Sequence, residues 1–268
     1  MKRADKKRTP SHPKAQQVDG AAGQQPERSA VLRWVVIGGM VLAVFAVAGL
    51  VGSFVRDYKA KKLAPPASAA GPSALAVPIY GHASVTLTVY ENAADPASLA
   101  FSQTFDPALA HLVASGAVNV YYREVDATGD AGGSLAAGNA LACAQDAKDF
   151  PKYRQVLLAN QPAAGASFSD GQLIQLSKKV SGLDSDTFRH CVDAGTHDVW
   201  VKDSTADFKK LGQGSVPVLT MSVLPQTTSQ FSVVYSPTLA LTPQQLTTKV
   251  MAAAEAAPTD SPSATPTS

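Results

Sequence analysis

The stretch VTLTVYENAADPASLAF, Val85 to Phe101, decides the fold. Val85 to Tyr90 alternates apolar side chains with threonine, the period-two pattern of a strand. A short loop follows, and Asp95-Pro96-Ala97-Ser98 then reads as the opening of a helix. Aspartate is a strong N-cap because its carboxylate accepts hydrogen bonds from the first free helical N–H groups. Pro96 is pre-set for helical φ and gives up an amide that has no partner there. The helix dipole also favours the negative charge of Asp95. This motif is therefore explained as local structure before any chemistry is assigned to it.

Working outward, Ser98 to Ser115 keeps helical spacing, with Asp106-Pro107 predicting a kink or restart and Gly116 a stop. Val118 to Val125 (VNVYYREV) reads as a second strand. Some eighty residues then lack strand signal. Within them Leu135 to Phe150, Tyr153 to Asn160, Gly171 to Val180, Ser185 to Ala194 and Asp198 to Leu211 carry helically spaced apolar residues. Val216 to Met221 and Gln230 to Tyr235 return to strand. Thr242, Pro243 and Gln245 form a capping-box signature for the last helix. The order is strand, helix, strand, helical block, strand, strand, helix. It suits an α/β thioredoxin-like fold with an α-helical insertion.

The stretch at 85–101 resembles the strand, loop and active-site helix of DsbA-like thiol-disulfide oxidoreductases, whose pattern reads VTxVEFxDxxCPxCxxF. On that alignment Asp95 stands where the nucleophilic cysteine belongs and Ser98 where the resolving cysteine belongs. Pro96 keeps its place, with Ala97 between. Disulfide exchange needs a thiolate attacking sulfur, so a carboxylate and a hydroxyl cannot perform it. Phe101 to Val125 resembles the family's kinked first helix, glycine stop and following strand ending in Arg-x-Val. NALACAQDAKDFPKYRQVLLANQ, Asn139 to Gln161, is similar to its ALACAxxQGKFWxYHxxLFxNQ signature. Leu183 to Leu211 resembles the segment that ends the insertion. Gly214-Ser215-Val216-Pro217 sits where the family has a cis proline.

The resemblance covers most of residues 77–256. It implies a domain at 75–256 with the insertion at about 133–211. It also implies that Val216 and Pro217 line a peptide groove beside Asp95 and Ser98. The plainer reading of Pro217 is a trans proline opening an edge strand.

Cys143 and Cys191 are the only cysteines. Two cysteines in an oxidising compartment suggest one bridge, and the resemblance implies a structural disulfide in the insertion. The alternative is two separate buried thiols behaving as small apolar side chains. A catalytic pair lacks CxxC spacing. His190, Cys191 and His197 make no recognisable zinc spacing, so neither a metal nor a cofactor is expected. Tyr121 and Tyr122 read as strand residues on opposite faces.

WVVIGGMVLAVFAVAGLVGSFV, residues 34–55, carries no charge and matches the ~20 apolar residues of a membrane-spanning helix. Eight basic residues against three acidic precede it. The N-terminus is therefore expected in the cytoplasm, with everything after Val55 outside the cell membrane in a single-pass arrangement. Residues 1–33 read as a disordered basic tail, 56–74 as a juxtamembrane Pro/Ala linker, and 257–268 as a disordered Pro/Ser/Thr tail. Beyond Lys62 the chain has 11 basic and 17 acidic residues, a balance that argues against a nucleic-acid partner.

The expectation is a membrane-anchored, extracytoplasmic pseudoenzyme of the bacterial envelope. Its partners are the membrane, through 34–55, and an extended polypeptide or envelope protein. The alternative is an envelope oxidoreductase using Cys143 and Cys191.

Overall fold

The computed structural model describes residues 62–126, 133–163, 166–223 and 231–257. The expected anchor at 34–55 and both expected disordered tails, apart from Ala257, lie outside these residues. Among the described residues no helix is long and apolar enough to cross a membrane.

A five-stranded mixed sheet organises the domain. Its strands are β1 (Val77–Ile79), β2 (Val85–Glu91), β3 (Asn119–Glu124), β4 (Val218–Val223) and β5 (Phe231–Tyr235), in the spatial order β1-β3-β2-β4-β5. β2 and β3 are parallel, pairing Leu87 with Val120 and Tyr90 with Arg123. β4 runs antiparallel to β2, with Tyr90 opposite Val218. β1 and β5 close the edges, each antiparallel to its neighbour. Pro78 lies in β1, the kind of edge position where a missing N–H is tolerated.

Helix α1 (Pro96–Ala114) opens on the Asp95 cap as expected and runs on through Pro107 as one helix rather than restarting. It packs with the last helix (Pro243–Ala256) on one sheet face. There Val85, Leu87 and Val89 meet Phe101, Phe105 and Leu109, together with Leu246 and Val250. The last helix carries the expected capping box: Thr242 Oγ1 accepts from the Gln245 amide, and Gln245 Oε1 from the Thr242 amide.

The insertion comprises α2 (Gly133–Asp146), α3 (Phe150–Ala159), α4 (Asp170–Ser177), α5 (Asp186–Asp193) and α6 (Asp198–Lys209); the last helix is thus α7. Ala137, Ala140, Leu141, Ala142, Cys143 and Ala144 of α2 are all buried. A helix apolar all round is the central helix of its block. Its small side chains let neighbours approach closely. A Cβ on Gly138 would come within 2.9 Å of a Val201 methyl on α6.

The segment before β1 differs from the expected spacer. Ala67 N–H donates to Asp146 Oδ1 at 2.6 Å, and Gln145 Nε2 donates to the Ala67 carbonyl at 3.0 Å. The fully buried indole of Trp200 donates to the Ala74 carbonyl at 2.8 Å. Residues 64–74 are therefore a strap on the helical block. Pro/Ala composition reads as a linker, but the strap's carbonyls and amides find partners that composition cannot reveal.

Candidate functional site

β2 ends at Glu91, and the loop Asn92–Asp95 turns the chain into α1. Asn92 organises this loop. Its amide donates to Ser98 Oγ at 3.1 Å, its Oδ1 accepts from Ala94, and its Nδ2 donates to Ser134 at the start of α2. From the end of α3, Gln161 Nε2 donates to the carbonyls of Ala93 and Asp95. The loop is thus stapled to the insertion from two sides.

The two motif positions sit differently. Asp95 is half-exposed and its carboxylate accepts from the Ala97 amide at 2.7 Å. Ser98 is fully buried one turn into the helix. Both side chains therefore serve local structure, Asp95 as the cap and Ser98 as acceptor for the loop.

The Val216–Pro217 bond is cis. Because β4 is antiparallel to β2, its start lies at the sheet end where the motif loop leaves β2. The side chains of Val216 and Pro217 are buried, with Val216 packed beside Tyr90, Phe208 and Val218. An occupant there would meet backbone rather than these two side chains.

Cys143 and Cys191 form a disulfide, with an S–S length of 2.05 Å and Cα atoms 5.9 Å apart, tying α2 to α5. Asn139 reinforces the junction: its Nδ2 donates to the Val192 carbonyl and its Oδ1 accepts from the His197 amide. A ring nitrogen of His197 lies within 4.8 Å of both sulfurs, a juxtaposition that linear spacing did not disclose. Its Nδ1 contacts the Ala64 carbonyl at 2.6 Å and its Nε2 contacts Asp146 at 3.0 Å. Sulfurs bonded to each other are not thiolate ligands, so the trio is no metal centre while the bridge stands.

A buried ionic cluster beside the motif escaped the sequence reading. Arg154 of α3 donates from Nε to Glu91 Oε1 at 2.5 Å and from Nη2 to Oε2 at 2.6 Å. Its Nη1 reaches Asp106 Oδ2 at 2.6 Å, and its guanidinium lies 4.5 Å over the Tyr122 ring. Burial opposes the charge on Arg154, but Glu91 outweighs it and holds the guanidinium firmly protonated. Glu124, the register partner of Glu91 on β3, is buried too. Burial, with the neighbouring Glu91 charge, pushes its carboxyl well above the ordinary range. The available signal was the acidic residue closing each of two apolar strands.

A thioredoxin family model matches residues 78–222. The chain belongs to the thioredoxin family. This thioredoxin-family chain resembles BdbD of Bacillus subtilis (oxidised) at 16% identity, covering 72% of this chain and 100% of that one, with a TM-score of 0.56. It also resembles MdbA, a thiol-disulfide oxidoreductase from Actinomyces oris, at 15% identity over 75% and 97% of the two chains, with a TM-score of 0.54. DsbG of Mycobacterium tuberculosis, in its reduced form, matches at 19% identity over 74% and 86%, with a TM-score of 0.51. The fold is thus that of DsbA-like members of the thioredoxin family. A comparison with curated proteins finds no match.

Against the DsbA-like pattern quoted above, Val89 occupies the position of the glutamate in VEF. The carboxylate of Glu91 comes two residues later on the same strand. Arg154 stands at the histidine of FWxYHxxLF and supplies the counter-charge.

Proposed function

We propose that this protein is a single-pass, membrane-anchored, extracytoplasmic thioredoxin-fold protein that binds polypeptide and performs no thiol chemistry at its motif. The observation that carries the reading is the local use of both motif side chains: Asp95 caps α1, and buried Ser98 holds the Asn92 amide. Neither offers sulfur, and each has a structural duty of its own. The uncharged segment at 34–55 supports anchoring. The start of β4, next to the motif loop, supports backbone pairing with an extended chain, a general mode of peptide recognition.

A second reading rests on the Cys143–Cys191 bridge, since Cys191 is half-exposed and His197 lies close to both sulfurs. In that reading the bridge is a redox couple of the envelope.

One experiment separates the two. The full-length protein is equilibrated in thiol buffers of graded potential, and free thiols are counted by mass spectrometry. A bridge that persists below about −300 mV supports the first reading, and equilibration between about −120 and −200 mV supports the second. Binding is measured in parallel with an unfolded polypeptide whose cysteines are carboxymethylated. The Asp95→Cys/Ser98→Cys variant is expected to bind it as the parent does. Loss of binding by a folded double variant would overturn the groove.

A further inference from the structure

The sheet face opposite α1 carries a cavity unrelated to the motif. Strand registers place Thr86 beside Ser222, Thr88 between Tyr121 and Thr220, and Tyr90 beside Arg123 on this face. The apolar alternates Val85, Leu87 and Val89 face α1 and α7. The result is a sheet surface rich in hydroxyls, bounded by Leu75, just past the strap, and by Lys210 and Leu211 just past α6. It encloses about 350 Å³, within the range of small-molecule sites, ~300–1,000 Å³.

Arg123 lines this cavity and is itself only 4% exposed. Its Nη1 donates to Asp207 Oδ2 at 2.7 Å and to the Tyr90 hydroxyl at 3.3 Å. Its Nε and Nη2 are buried and have no hydrogen-bond partner among the described residues. Those two N–H groups form one edge of the guanidinium, the edge that matches both oxygens of a carboxylate. The same two atoms of Arg154 hold Glu91 in this way. Buried donors without an acceptor are unfavourable, so an occupant that supplies one is bound at an advantage. With Arg123, Lys210 and Asp207 at its wall, the cavity has one net positive charge.

We propose that this cavity binds a small molecule bearing one carboxylate, held by the Nε and Nη2 edge of Arg123. The body of the ligand packs between the Thr86–Thr88–Thr220 surface and Leu75. As folded, both nitrogens are shielded from solvent, so the carboxylate is engaged only when the guanidinium turns toward the cavity. This site is independent of the motif and of the proposed polypeptide binding.

The test uses the full-length protein and isothermal titration calorimetry with benzoate and 3-phenylpropionate, their amides, and inorganic phosphate. At least one acid is expected to saturate one site, with its amide binding tenfold or more weakly. Arg123→Lys keeps the charge but removes the fork, and is expected to weaken the acid tenfold or more. Thr88→Leu, which keeps Arg123 and fills the cavity at a half-exposed position, is expected to abolish binding and serves as the independent variant. Failure of both acids, equal binding of acid and amide, phosphate binding as tight as the acids, or full affinity in folded Thr88→Leu each overturns the proposal.

Discussion

Two buried arginines, one on each side of the sheet system, are treated in opposite ways. Arg154 has its Nε/Nη2 edge filled by Glu91 and its Nη1 by Asp106, with Tyr122 beneath the guanidinium. Arg123 has one nitrogen engaged by Asp207 and Tyr90, a ring centroid 5.0 Å below, and two nitrogens without partners among the described residues. Their carboxylates differ as well. Glu91 is 1% exposed on its side chain, whereas Asp207 is 34% exposed. A buried charge is tolerable only when its hydrogen-bonding capacity is matched. By that rule the Arg154 site is finished as folded, and the Arg123 site is complete only with something in it.

The largest effect should come from breaking the finished site. Arg154→Met leaves Glu91 buried without its counter-ion and next to Glu124, so a loss of about 3–5 kcal/mol is expected. Urea unfolding of the thioredoxin-fold domain in the full-length protein measures it. A loss below about 1 kcal/mol would mean that Glu91 can take up a proton at little cost, and the pair would not hold α3 to the sheet.

A smaller effect is expected from pH. The Glu124 carboxyl is pushed upward by burial and by Glu91, so the folded state keeps its proton where the unfolded chain has lost it. Its contribution is fully present below the unfolded value of about 4.5 and is lost as pH rises through the higher folded value. The slope from this one group reaches at most about 1.4 kcal/mol per pH unit. Unfolding free energies of the parent minus those of Glu124→Gln, followed upward from pH 4.5, should show this decline. A flat difference curve would place Glu124 ionised in the folded protein.

The smallest effects belong to the unfilled site. Arg123→Met frees Asp207 to be hydrated and removes two unmatched donors, so a change of about 1 kcal/mol or less is expected. If Arg123→Met were as damaging as Arg154→Met, the guanidinium would be a structural tie, and the contrast between the two sites would dissolve.

Several parts of this architecture were legible in sequence because the forces behind them are local. Asp95-Pro96 capped α1 as read, the Thr242–Gln245 box formed, and β2 followed its period-two pattern. β1 was missed: three residues with a central proline carry too little pattern, and the strand exists because β3 offers an edge. The strap at 64–74 was misread as a spacer, since its partners Asp146, Gln145 and Trp200 lie more than seventy residues away in sequence. Asp106-Pro107 reads as a kink or restart of α1, and the restart does not occur. The helix instead continues, held along one side by Phe101, Phe105 and Leu109 against the sheet. Val216 and Pro217 are read as groove-lining through the backbone that precedes the proline, and the burial of their side chains leaves only that backbone for such a role.

By itself the sequence determined the order of the elements, the caps of the first and last helices and the replacement of both motif cysteines by Asp95 and Ser98. Each of these depends on residues within a turn or two of one another. The sequence also suggested the Cys143–Cys191 bridge, which the structure forms. Only the tertiary structure decided that Glu91 belongs to Arg154 and that Arg123 has an edge without a partner among the described residues. Those outcomes depend on strand register and helix packing, which bring together groups from distant parts of the chain. The value of a buried charge is set by what surrounds it after folding, and no local pattern carries that information.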